Sequence, residues 1–219
     1  MSTTKLDRTT QALVEAVDRA DSADAVLEAV EDLAAAGSID ATSKLIEVLG
    51  YNNPGAAVAA VDGLIQIGEP AVLPLLQQLD GYNYGARAWT VRALAGIGDP
   101  RGLDILLAAT SDFSLSVRRA ASRGLGTIRW QEMKSDRVAV AQTRALQALL
   151  ETCQDPEWIV RYASVVGMQG LAAVTAAESS DTLSTVLAQL EVISGSDLEA
   201  AVRARAVMAI DRLSAPSRT

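Results

Sequence analysis

The side chains that usually carry catalysis are nearly missing from this chain. It has no histidine and one cysteine, Cys153. Without histidine there is no Ser-His-Asp or Cys-His nucleophile, and the common zinc sites are excluded with them. One cysteine builds neither a thiolate metal cage nor an internal disulfide, so no metal site is expected and a reducing compartment is. Cys153 follows the apolar face of a helix expected over residues 138–152. That placement reads as packing, with a transient covalent carrier as the alternative. Gly96-Ile-Gly98-Asp-Pro-Arg-Gly102 is no phosphate loop, because a proline interrupts it and helices flank it.

What remains is binding chemistry. Asp80-Gly-Tyr82-Asn-Tyr84-Gly-Ala-Arg87-Ala-Trp89 crowds two tyrosines, an arginine and a tryptophan into a chain with only eight aromatic residues. The segment joins two helices and turns at its glycines. With Phe113 and Trp130 it makes an aromatic rim beside arginines. Such a rim suits a flat conjugated ligand bearing carboxylates, or a protein hot spot. The bland alternative, that Trp89 fills the core between repeats, is favoured for that residue alone. Arg87, Arg118, Arg161 and Arg203 open four similar helices and read mainly as ties between repeats. Arg87 and Arg118 are also candidates to meet a carboxylate. Asp99 reads as a helix cap or as an acceptor for a ligand's N–H groups.

The elements that position these residues are repeats. Val61, Leu64, Ile67, Gly68, Pro70, Leu73 and Leu76 recur at an offset of thirty as Val91, Leu94, Ile97, Gly98, Pro100, Leu103 and Leu106. Apolar residues at helical spacing end in a glycine suited to a left-handed C-terminal turn. An acidic cap (Glu69, Asp99) and a first-turn proline then start the next helix, with Leu73, Leu76 and Leu79 as its apolar stripe. A hairpin of this kind cannot cover its own apolar face and must stack on neighbours. Residues 8–35 and 39–49 read as two further helices, with Ser38 and Asp40 as capping candidates. The chain is therefore expected to be all-α, an α-solenoid of five to six HEAT-like helical hairpins in one domain over 1–219. Acidic N-terminal cap hairpins would fill 1–50, the best-defined repeats 51–130 and further repeats 131–219. The polar insertion at Trp130–Asp136 marks a loop of the kind that solenoids place on a binding face.

Charge narrows the partners. The formal net charge is −8, which argues against nucleic acid, since phosphate binding needs clustered Lys and Arg. Residues 51–133 are the neutral exception, with seven acidic side chains and seven arginines. That middle suits a small anionic ligand or an acidic protein patch, or is a set of solvated helix faces. No apolar run is long enough to span a membrane, and the first residues lack the apolar core of a signal peptide. A cytoplasmic protein is expected.

Leu79-Asp-Gly-Tyr-Asn-Tyr-Gly-Ala-Arg-Ala-Trp-Thr-Val-Arg-Ala-Leu-Ala-Gly-Ile-Gly-Asp-Pro-Arg101, Val117-Arg-Arg-Ala-Ala-Ser-Arg-Gly-Leu-Gly126 and Val202-Arg-Ala-Arg-Ala-Val207 resemble the smaller (F-type, beta) subunit of the heterodimeric phycocyanobilin lyases. The resemblance implies a larger E-type (alpha) partner subunit and phycocyanobilin, an open-chain tetrapyrrole, as substrate rather than tightly bound cofactor. It also implies the phycocyanin alpha subunit as acceptor, whose cysteine adds across the chromophore's vinylic side chain to give a thioether. On that footing Asp99 would meet pyrrole N–H groups as the catalytic candidate. Arg87 and Arg118 would meet the propionates, with Tyr82, Tyr84, Trp89 and Trp130 binding the conjugated system. Lyases that also isomerise the bilin carry a His-Cys pair where this chain has Ile128-Arg-Trp130-Gln, so plain attachment is implied. The competing expectations are a non-catalytic HEAT scaffold or chaperone for phycobilisome assembly or degradation, and an adaptor that binds an amphipathic helix.

Overall fold

The computed structural model describes residues 3–78, 84–175 and 180–215, without the side chains of residues 3–8, 84, 85 and 180. Twelve α-helices and no strand lie among the described residues, and consecutive helices pair as six hairpins. The chain divides into two compact units, Met1–Ile97 and Gly98–Thr219.

The first unit holds α1 (Thr3–Arg19), α2 (Ala23–Ala35), α3 (Thr42–Val48), α4 (Pro54–Ile67), α5 (Glu69–Gln78) and α6 (Tyr84–Ile97). The even-numbered helices α2, α4 and α6 stack on one another in order, and α3 and α5 pack beside them. The helix expected over residues 8–35 is two helices, because Ser22 breaks it. Its extended backbone and its side-chain oxygen, which accepts from the Ala25 N–H, start α2 afresh. Ser38 caps as expected, accepting from Asp40 N–H at the start of a short 3-10 turn. Gly68, at φ 74°, ends α4 in the left-handed region its position demanded. The stripe expected on α5 is misplaced. Ala71, Val72 and Leu75 are buried while Leu73 is 55% exposed, and Leu79 lies outside the described residues. A spacing of three drifts across a helix of 3.6 residues per turn, so the core face follows 71, 72 and 75 instead.

The second unit holds α7 (Leu103–Ala109), α8 (Leu115–Leu125), α9 (Ser135–Thr152), α10 (Trp158–Thr175), α11 (Ser180–Ser196) and α12 (Ala200–Ser214). Here α8, α10 and α12 form the stack, and α7, α9 and α11 pack along it. The α8–α10 approach is close because glycines line it. A Cβ on Gly167 would stand 2.2 Å from the Ser122 carbonyl oxygen, and one on Gly170 would stand 2.3 Å from that of Gly126. Leu106, Leu125, Leu149, Met168, Leu171 and Leu190 are fully buried around this seam. Each such side chain contributes about 1.5–3 kcal/mol by leaving water.

Candidate functional site

Each arginine of the repeating series occupies the fourth position of its helix: Arg87 in α6, Arg118 in α8, Arg161 in α10 and Arg203 in α12. In the second unit this register folds the guanidinium back over the preceding loop. Nη1 of Arg118 donates to the carbonyls of Asp112 and Phe113, and Nη1 of Arg161 to those of Asp155 and Pro156. Nη1 of Arg203 donates to the carbonyls of Asp197 and Leu198. Reaching forward, Arg118 grips Asp155 at 2.6 and 3.1 Å, and Arg161 grips Asp197 at 2.8 and 2.9 Å. Burial by itself would raise the Asp155 carboxyl, but the Arg118 hydrogen bonds override it and hold the group below its ordinary range. Arg161 does the same for Asp197, against a smaller opposing effect of burial. Four of the five N–H donors of Arg118 are thus committed to protein groups, and its role here is to tie repeats. The spacing Asp-x5-Arg, seen at 112/118, 155/161 and 197/203, was the sequence signal for the acidic half of this ladder.

Asp99 is 5% exposed. Its Oδ1 accepts from the Arg101 backbone N–H at 2.9 Å and from Arg101 Nε at 2.9 Å, and its Oδ2 accepts from Nη2 at 2.7 Å. The Arg101 side-chain bonds hold this carboxyl well below its ordinary range despite burial. Asp99 is therefore the cap expected of it and also the group that aims Arg101. Trp130 is 5% exposed in the 3-10 turn Trp130–Glu132, so it is a buried ring and not part of an exposed rim. Phe113, 75% exposed, is the rim residue of this unit. In the first unit Arg87 and Trp89 are half-buried on α6, and the Arg92 guanidinium lies 5.5 Å from the Trp89 ring centre. Tyr82 lies outside the described residues, as does the side chain of Tyr84. Cys153 is 4% exposed, its sulfur 4.0 Å from that of Met168, and burial pushes its thiol up to about 12. It is inert packing at neutral pH.

A groove of about 560 Å³ lies in the second unit, with Glu132, Met133, Lys134 and Asp136 of the Trp130–Asp136 insertion on its wall; sequence reasoning pointed to that loop but missed the groove's cations. Arg101, Lys134, Arg137 and Arg144 line it, with Leu103, Met133 and Val140 as apolar surface and Asp104, Glu132 and Asp136 as the acidic members. Glu132 pairs with Arg129 at 3.0 Å, and Asp104 with Arg144 at 3.0 Å. That second pair is 54% and 80% exposed, so it is weakly held. Among the described residues Lys134 and Arg137 have no ion-pair partner. The volume falls in the range of small-molecule sites, roughly 300–1,000 Å³. The helical register carried the signal, since Arg137, Val140, Ala141 and Arg144 share one face of α9 at spacings of three, four and seven.

Comparison with known proteins places this architecture. A family model for HEAT repeats matches residues 72–169. A phycocyanobilin lyase subunit beta of Pseudanabaena tenuis is 53% identical over 94% of this chain and 74% of its own length. The phycobilisome maturation protein of Synechococcus elongatus is 50% identical over 93% of this chain and 97% of its own. Among solved structures, the complex of CpcE and CpcF of phycocyanin lyase from Nostoc sp. PCC 7120 contains a chain matched at TM-score 0.72 and 46% identity. That match covers 78% of this chain and 99% of the other. A designed armadillo repeat protein, 18% identical with TM-score 0.55 over 92% of this chain and 98% of its own, shares the fold alone. The fold class is accordingly an all-α, HEAT-like solenoid, and the chain belongs to the family of phycocyanobilin lyase beta subunits.

Proposed function

We propose that this chain is the smaller subunit of a bilin lyase, which binds phycocyanobilin and directs its thioether attachment to a cysteine of the phycocyanin alpha subunit. A larger subunit completes the enzyme, as in the CpcE–CpcF complex that the chain resembles. The observation that carries the reading is the cationic groove of the second unit, combined with the absence of a usable nucleophile. A linear tetrapyrrole carries two propionates and a long conjugated, apolar body. Lys134 and Arg137 offer two uncommitted cations for the propionates, and Met133 and Val140 offer apolar surface beside them. Asp99 fixes Arg101 at the groove wall.

The chemistry asks little else of this chain. A thiol adding across an exocyclic C=C forms one C–S bond, places the thiol proton on carbon and releases nothing. The nucleophile is the acceptor's cysteine, which accounts for a lyase subunit with no histidine and an inert Cys153. Holding the two reactants in register supplies the acceleration, roughly 7–11 kcal/mol of barrier for a well-oriented pair.

The test is attachment by the two-subunit enzyme with a Lys134→Glu/Arg137→Glu chain. Two lost charge-assisted contacts of about 1.5 kcal/mol each predict at least a tenfold lower initial rate, recovered in part with Lys134→Arg. An unchanged rate in the folded double variant would remove the groove from the account.

A further inference from the structure

The four cations of the groove are committed to different degrees. Arg101 is held firmly, because its guanidinium grips both oxygens of Asp99, a carboxylate only 5% exposed. Lys134 and Arg137 have no ion-pair partner among the described residues. Arg144 stands between these extremes. Its Nη2 lies 3.0 Å from Asp104 Oδ1, on side chains that are 54% and 80% exposed. The pair joins α9 to α7, and both residues line the groove. In the repeat-tying pair Arg118–Asp155 the same figures are 14% and 7%. Water therefore screens the Arg144 pair and is kept from the Arg118 pair. A ligand carboxylate offers Arg144 the charge of Asp104 and two oxygens for its planar fork of donors, so exchanging one carboxylate for the other costs little. Arg144 also lies two helical turns, about 10 Å, beyond Arg137 on the same face of α9, with the exposed Val140 between them.

We infer that Arg144 is a third carboxylate-binding cation of the groove, held in reserve by Asp104. One propionate of the tetrapyrrole displaces Asp104 from Arg144, and the other stays with Lys134 and Arg137. Asp104 recaptures the guanidinium when the bilin leaves for the acceptor protein. Asp104 is thus a built-in competitor that weakens the hold on a ligand the subunit must later release. This inference rests on the bilin-binding reading above and adds the exchange that tunes its strength.

The experiment uses the full chain with its larger subunit and follows binding by visible absorption for two probes: phycocyanobilin, and its dimethyl ester, which has no carboxylate. Asp104→Asn is expected to bind phycocyanobilin about 2- to 5-fold more tightly, the worth of an exposed ion pair, and to leave the ester unchanged. That gain is expected to vanish when Arg144→Gln is also present. Tighter binding cannot come from a misfolded variant, and both positions are exposed. If phycocyanobilin binds the wild type better than the ester does, but Asp104→Asn fails to tighten it, the exchange is wrong and the groove stands. An equal gain with Arg144→Gln present has the same meaning, because Asp104 would then act by its charge alone. If the wild-type complex binds acid and ester equally, or binds neither, the groove receives no carboxylate and both readings fall together.

Discussion

Asp99 and Arg101 form a unit in which one residue aims the other. Asp99→Ala removes both the cap and the clamp on Arg101, whereas Asp99→Asn keeps an oxygen for the Arg101 backbone N–H. Because Asp99 acts through Arg101, the alanine variant is expected to raise KM for the bilin several-fold with kcat little changed, and the asparagine variant to recover part of it. A fall in kcat with unchanged KM would instead put the carboxylate at the reacting atoms. Cys153→Ser is expected to leave the attachment rate intact, because a thiol pushed up to about 12 is not a nucleophile near neutrality. Loss of activity in a folded Cys153→Ser chain would revive the covalent-carrier reading. At this scale the sequence was legible where local rules apply. Glycine ends, the Ser38 cap and the Asp99 cap follow from backbone chemistry within a few residues. It was misleading for Trp130, since burial depends on partners far along the chain. Arg118 and Arg161 needed the repeat register before their aspartates, thirty-seven and thirty-six residues on, could be named.

Between elements, the second unit is held by the Asp–Arg ladder and by a glycine seam. Asp155→Ala strands the Arg118 guanidinium, whose side chain is 14% exposed. Breaking such a buried pair costs about 3 kcal/mol or more, while Asp155→Leu with Arg118→Met is expected to recover much of it. Urea midpoints of the single and double variants measure this. The aspartate carboxyls of the ladder are held below their ordinary range, so the folded state binds fewer protons than the unfolded chain in that window. Their stabilisation is complete above about pH 4 and drains away as the pH falls through the depressed folded values. Asp155→Asn is expected to flatten that acid limb. Gly167→Ala pushes a methyl against the Ser122 carbonyl and Leu149, with an expected loss of about 2 kcal/mol. The thirty-residue repeat told of hairpins but not of their starts. Glu69 lies within α5, whereas Asp99 precedes a 3-10 turn before α7, because Asp99 binds the Arg101 N–H and side chain.

For the whole molecule, the sequence made the fold class plain, because helical spacing and recurring glycines are written at many positions. The cationic groove was less plain, because Arg101 joins it from a separate 3-10 turn, while Lys134, Arg137 and Arg144 come from α9 and the residue before it. An acidic chain that gathers cations in one groove, has no histidine and buries its single cysteine is suited to hold a reactive anionic ligand for another protein's thiol. Among the described residues no helix is long and apolar enough to cross a membrane. The most direct measurement is the bilin absorbance carried by acid-denatured phycocyanin alpha subunit after reaction with phycocyanobilin and this chain, its larger partner subunit, or both. The account predicts covalent bilin at the natural cysteine only, or far faster, with both chains present, and loss of that gain when the chain carries Lys134→Glu/Arg137→Glu. Attachment that proceeds equally without this chain would contradict a lyase subunit and leave a binding scaffold.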